Sequence, residues 1–182
     1  MVGFFEMRIH FILVLLYLSI WNNFSFAADK TIAVFVALAD NESQGIVKVP
    51  KAIGNGDDPE KNLYWGTAEG LKGVFDKSKD WSLTEKNDAP IDQDILRSRT
   101  YHHKVKNTTL MAKAYKGSSI KKCIQDYETA VQQGSFDLVV FIGHNGLMDF
   151  DLPKPVKAKN VTKVSECIVL CCKSESYFKS RI

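Results

Sequence analysis

Two short apolar stretches of this chain each end at a residue that can take part in catalysis. The first, residues 137–143, is followed by His144, and the second, residues 167–170, is followed by Cys171 and Cys172. Apolar runs of this length, bounded by glycine and polar residues, are typical of strands buried on both faces. In an open α/β sheet, ligands bind at the carboxyl ends of such strands. A histidine and a cysteine at neighbouring strand ends would supply a thiol nucleophile and its base.

The rest of the chain supplies the elements that must position these residues. Strand patterns alternate with helix patterns, which predicts a mostly parallel sheet covered on both faces, a three-layer α/β sandwich. The predicted strands cover residues 31–39, 81–84, 91–105 (extended or hairpin), 137–142 and 167–170, and the predicted helices cover residues 62–77, 118–134 and 174–182. One or two further strands are expected in such a sheet, so truncation at the C-terminus is an open interpretation of the pattern.

Residues 1–27 have the pattern of a signal peptide. Arg8 precedes an apolar stretch over residues 11–20, and Ser25, Phe26 and Ala27 follow as a small-x-small cleavage site. The single domain is therefore expected to span residues 28–182 and to be exported, either to the periplasm or out of the cell. An uncleaved N-terminal anchor is the alternative. The apolar stretch is too short to span a bilayer comfortably, so no stable membrane insertion is expected after cleavage.

The composition excludes several classes of function. The net charge of +3 is scattered, without a basic stripe, so nucleic acid is not an expected partner. His102 and His103 are adjacent in a predicted strand and point to opposite faces, so neither a metal site nor a cofactor is expected. Three of the four cysteines crowd one strand, which does not indicate a disulfide framework, and at least one thiol is expected to be free.

The two strand-end motifs resemble the signature of the caspase, legumain and gingipain group of cysteine peptidases. In that group an apolar strand ends at a His-Gly pair, and a later apolar strand ends at a small residue and the nucleophilic cysteine. By this resemblance His144 is the catalytic histidine, Cys172 is the nucleophile, and Cys171 holds the small-residue place. The resemblance implies a caspase-like fold, and hydrolysis of a peptide or protein substrate through a thioester acyl-enzyme. It also implies an oxyanion hole near Gly146 and the Cys172 amide.

Several other residues are candidates for the site. Gly143 and Gly146 flank His144, where glycine lets the backbone turn sharply and present N–H groups to an oxyanion. Asp40 and Asn41 follow the first strand and should lie on the same rim, where they could bind substrate. Asp149 lies just beyond His144 and could prefer a basic substrate side chain.

Each candidate also has a purely structural interpretation. His144 could be a loop histidine bonded to backbone, Cys172 a buried and inert thiol, and Asp40 part of a solvated acidic loop. Two functional alternatives follow. One is a non-catalytic exported α/β domain that binds a ligand at the same rim, and the other is an inactive truncated fragment.

Overall fold

The computed structural model describes residues 29–159, 161 and 163–182, so the signal-peptide prediction for residues 1–27 lies outside the described residues. The strands are β1 (Lys30–Ala37), β2 (Trp81–Asn87), β3 (Ile95–His103), β4 (Thr108–Tyr115), β5 (Leu138–Ile142) and β6 (Glu166–Leu170), and the helices are α1 (Leu71–Asp76), α2 (Ile120–Gln133) and α3 (Ser174–Phe178). In this described part of the chain no helix has the length and apolar character needed to cross a membrane.

The strands form one mixed sheet in the order β2-β3-β4-β1-β5-β6. Strands β4, β1, β5 and β6 run parallel, whereas β2, β3 and β4 form an antiparallel meander. The α/β class is therefore confirmed, and the sheet is parallel over the half that carries His144 and Cys172. The meander corrects the expected strand order, because β4 was not anticipated. Its sequence places a lysine and threonines among the apolar residues, which hides the strand pattern.

Apolar clusters cover both faces of the sheet. On one face α2 packs its apolar side against β1 and β5, with Tyr127, Phe141 and Phe178 at the centre of the cluster. The predicted helix end is confirmed, since Gly134 caps α2 with φ 63° in the left-handed region that glycine favours. Ser119 stands at the N-terminal cap position, but its hydroxyl donates to Asp94 instead (2.6 Å).

The opposite face is covered by α1 and the turns that precede it, with Trp65 fully buried. The predicted helix over residues 62–77 is wrong for its first nine residues, because only Leu71–Asp76 is helical. Asn62 is the physical reason. Its buried side chain accepts from the Ala39 N–H (3.0 Å) and donates to the Ala39 carbonyl (2.8 Å), which ties the chain to the end of β1 in a turn.

The prediction that the strand before Cys171 is buried on both faces is also wrong. Ile168 and Leu170 of β6 are exposed. The cause is position in the sheet, because β6 pairs only with β5 within the described residues and forms an edge of the sheet. In contrast, β5 lies between β1 and β6 and has a buried centre.

Candidate functional site

The parallel register brings His144 and Cys172 to the same edge of the sheet. Val36 of β1 lies level with Ile142 of β5, and Ile142 lies level with Leu170 of β6. His144 follows its strand by two residues and so does Cys172. Both therefore leave the sheet at the same height on adjacent strands, as the sequence predicted for a strand-end rim.

Both residues line one cavity of about 410 Å³. Its other walls come from the loop after β1, from Tyr64, and from the residues beside His144 and Cys172. No hydrogen bond within the described residues joins the His144 ring to the Cys172 sulfur. The structure thus brings the two predicted residues into one cavity without direct pairing.

The His144 ring is held by a carboxylate. Its Nε2 lies 2.8 Å from Asp149 Oδ2, and the histidine is buried. A short 3₁₀ turn over Gly146–Met148 carries the chain back, so that Asp149 reaches the ring five residues later. A carboxylate on Nε2 favours the tautomer that is protonated there and leaves Nδ1 as the basic nitrogen. Asp149, which the sequence suggested for a basic substrate side chain, thus contacts the His144 ring within the protein.

Gly45 also fixes the position of Asp149. Its backbone N–H donates to the same Oδ2 (2.9 Å), and a Cβ added at Gly45 would collide with the Asp149 carboxylate. The loop after β1 therefore reaches across the rim and helps to hold His144 indirectly. Only glycine permits this approach of backbone to carboxylate.

Asn145 links the two strand ends. It is fully buried, and its Nδ2 donates to the Cys172 carbonyl (2.8 Å). Its Oδ1 is buried without a hydrogen-bond partner among the described residues. Sequence reasoning did not assign Asn145 or the orienting role of Asp149, because both depend on a tertiary turn rather than on strand periodicity.

The four free cysteines differ in exposure. Cys171 packs against the apolar cluster under α2, and burial, followed by the charge of Cys172, raises its pKa to about 11. Cys123 is fully buried, and this burial raises its pKa well above the usual range. Cys172 is exposed at the cavity. Both adjacent thiols line the cavity, but Cys171 is half-buried and Cys172 is exposed, so Cys172 is the more accessible of the two.

Lys173 makes a sharp turn directly after Cys172. Its backbone has φ 53° and ψ 32°, in the left-handed region, and it is the one non-glycine residue with positive φ in the described part of the chain. This conformation costs a non-glycine residue about 1–2 kcal/mol. The turn separates β6 from α3 and leaves the Cys172 side chain outside both elements.

The two glycine amides predicted for an oxyanion hole already donate to backbone carbonyls. The Gly143 N–H donates to the Leu170 carbonyl (3.3 Å), and the Gly146 N–H donates to the His144 carbonyl (3.0 Å). The Cys172 N–H has no backbone acceptor among the described residues. Among the amides predicted for the oxyanion hole, it is the one without a backbone hydrogen bond in the described residues.

Asp40 and Asn41 lie on the predicted rim, but their side chains bind their own loop. Asp40 accepts hydrogen bonds from the Glu42 N–H (3.0 Å) and the Ser43 hydroxyl (2.5 Å). Asn41 exchanges two hydrogen bonds with the Val49 backbone (2.8 and 3.0 Å). Neither residue lines the cavity, and these contacts describe a structural role.

In the described ranges, no group of three or more histidine, cysteine, aspartate or glutamate side chains is placed to hold a metal ion. No family model matches the chain, and neither a curated protein nor a solved structure similar to it was found.

Proposed function

We propose that this protein is a cysteine peptidase in which Cys172 is the nucleophile, His144 the general base and acid, and Asp149 the residue that orients His144. The observation that carries the proposal is the His144–Asp149 contact of 2.8 Å at the wall of a cavity that also contains the exposed thiol of Cys172. A histidine fixed by a carboxylate beside a reachable thiol is the arrangement that nucleophilic catalysis requires.

The reaction proceeds in two steps. His144 Nδ1 accepts the thiol proton, and Cys172 Sγ attacks the carbonyl carbon of the peptide bond. The C–N bond breaks as His144 returns the proton to the leaving amine, which leaves a thioester. Water then loses a proton to His144 and attacks the thioester, so that a carboxylic acid leaves and the thiol is restored. The Cys172 N–H, which has no backbone acceptor among the described residues, would donate to the oxyanion.

The proposal requires the His144 ring and the Cys172 thiol to come within hydrogen-bond distance when substrate binds. Because no hydrogen bond joins His144 to Cys172 before substrate binds, the ring or the exposed thiol must turn by a rotamer change. Such contacts are often loose in an unliganded enzyme and tighten in the reacting complex. The exposed position of Cys172 leaves its side chain room for that change.

Cleavage of a mixture of unlabelled peptides tests the proposal. Under reducing conditions, mass spectrometry should find new peptide termini with the wild-type protein and none with Cys172→Ala. Cys171→Ala is the matched control, because it removes the adjacent thiol that packs against the core. Cleavage that survives Cys172→Ala, or that is lost equally in both variants, would contradict the assignment.

A non-catalytic binding domain is the second candidate. It is favoured by the internal hydrogen bonds of the Gly143 and Gly146 amides, which leave fewer donors for an oxyanion than a peptidase site would use. In that case Cys172→Ala should leave ligand binding unchanged. The membership of the caspase, legumain and gingipain group and the export of residues 28–182 are proposals that rest on the sequence motifs alone.

A further inference from the structure

We infer that the cavity beside Cys172 binds an uncharged, apolar side chain of the substrate, on the acyl side of the bond that is cut. This inference rests on the proposed function. The substrate's carbonyl carbon must lie at Cys172 Sγ, so its neighbouring side chain has to lie against a wall of the same cavity. Those walls are mainly apolar and are formed by Ile46, Val47, Val49, Met148 and Leu170.

Several of these side chains are exposed to water. Val47 is 90% exposed, Leu170 is 55% exposed, and Met148 is 43% exposed. They come from three separate parts of the chain, the loop after β1, the turn after His144 and the end of β6, yet they surround one space. An apolar side chain placed there would cover all three and remove apolar surface from water.

The cavity offers no fixed charge to a substrate. No aspartate, glutamate, lysine or arginine is among the described residues that line it. Asp149, the residue that the sequence suggested for a basic side chain, already accepts from His144 and from the Gly45 N–H. A charged substrate side chain would therefore lose its hydration without gaining an ion-pair partner.

Tyr64 completes the wall as a neutral group. Burial raises the pKa of its phenol, and the nearby Cys172 and Cys171 raise it further, so the ring stays uncharged at neutral pH. It offers an apolar ring face with one hydroxyl donor. This surface suits an aliphatic or aromatic side chain.

Peptidyl acyloxymethyl ketones that differ only in the residue next to the ketone test this inference. The rate at which each reagent modifies Cys172 would be followed by mass spectrometry for leucine, phenylalanine, lysine and aspartate at that residue. The leucine and phenylalanine reagents should react at least tenfold faster than the charged ones. Iodoacetamide, which does not fill the cavity, would report the reactivity of the thiol independently.

Two variants sharpen the test. Val47→Asp should lower the leucine-to-lysine rate ratio at least tenfold, because it adds a carboxylate to the wall. Val105→Asp is the matched control, since Val105 is 88% exposed after β3, outside the cavity, and should leave the ratio unchanged. Equal rates for all four reagents, together with fast iodoacetamide labelling at pH 7, would overturn this inference and leave the peptidase proposal standing. Slow iodoacetamide labelling at pH 7 would overturn both.

Discussion

Two polar clusters on the same rim of the sheet differ in how completely they are hydrogen-bonded. At the end of β1, Asn62 uses both its amide oxygen and its amide nitrogen, and so does the buried Gln44. At the ends of β5 and β6, Asn145 keeps a buried oxygen without a partner among the described residues, and Cys172 keeps an exposed thiol. Each cluster contains a fully buried asparagine, Asn62 in the first and Asn145 in the second. Only the first cluster is saturated, meaning that its asparagine has a hydrogen-bond partner for both its amide oxygen and its amide nitrogen.

The contrast separates a fully hydrogen-bonded polar cluster from one that leaves polar groups unpaired. A buried polar group costs free energy unless it is paired, so a fully paired cluster is best explained by the loop that it holds. A cluster that leaves polar groups unpaired beside a cavity has them available, as the proposed function requires. By this criterion Asp40 and Asn41 belong to the first cluster, and His144, Asn145 and Cys172 belong to the second.

The largest effect should come from breaking the saturated cluster. Asn62→Ala removes the hydrogen bonds that join the turn before α1 to the end of β1, and it leaves buried backbone groups of Ala39 unpaired. We expect the free energy of unfolding to fall by about 3 kcal/mol, measured by urea denaturation. Asn41→Ala, at a half-buried position of the same loop, should cost about 1 kcal/mol. Equal losses in the two variants would contradict the importance assigned to burial here.

The next effect concerns the carboxylate on His144. In Asp149→Asn the amide oxygen can still accept from the His144 Nε2–H and the Gly45 N–H, but the negative charge that stabilises a protonated His144 ring is lost. The rate of Cys172 alkylation at pH 7 should fall about 10- to 100-fold, as expected for loss of general-base assistance. Asp151→Asn is the control, because Asp151 lies two residues later in the chain and is exposed. A rate within twofold of wild type in Asp149→Asn would show that the carboxylate charge does not support His144 as a base.

Asn145→Ala gives the sharpest comparison with Asn62→Ala, because the same change is made at an equally buried asparagine. The variant loses the hydrogen bond to the Cys172 carbonyl, but it also removes the unpaired Oδ1. The free energy of unfolding should therefore change by less than about 1 kcal/mol. Cys172 alkylation should slow severalfold, because the thiol is no longer anchored to the end of β5. A loss of stability as large as that of Asn62→Ala would remove the distinction between the clusters.

Lys173→Gly should have the smallest effect. Glycine adopts the left-handed conformation of residue 173 without strain, but it has more conformational freedom in the unfolded chain. We expect a net gain of less than about 1 kcal/mol in the free energy of unfolding. Thermal unfolding of this variant should be compared with that of Lys179→Gly, which replaces a lysine whose φ is negative. The difference between the two variants measures the backbone strain at residue 173. A lower stability in Lys173→Gly would contradict the account of the turn.

The parts of the fold that could be predicted from sequence depend on local patterns. Strands β1 and β5 and helix α2 with its Gly134 cap follow from apolar periodicity and from one glycine. The shared position of His144 and Cys172 follows from the rule that parallel strands end at one edge. Those predictions needed no knowledge of which strands are neighbours elsewhere in the sheet.

The predictions that were wrong depend on distant contacts. The helix expected over residues 62–77 is shortened by Asn62, which binds the end of β1, and the exposure of β6 depends on its place at the sheet edge. The Asp149 contact arises from a 3₁₀ turn and from Gly45, about a hundred residues earlier in the chain. A carboxylate five residues after a strand-end histidine, with a glycine between them, is the sequence signal that could have indicated it.

The most direct test of the proposed chemistry is the rate of Cys172 alkylation across pH, mapped by mass spectrometry in the wild type and in His144→Ala. Cys171 serves as an internal reference. Because burial raises its pKa to about 11, its thiol stays protonated below pH 9 and should remain unmodified there. We predict fast modification of Cys172 below pH 7 that slows at least tenfold in His144→Ala. Slow modification in both proteins, rising only near pH 8.5 where an ordinary thiol ionises, would contradict the account.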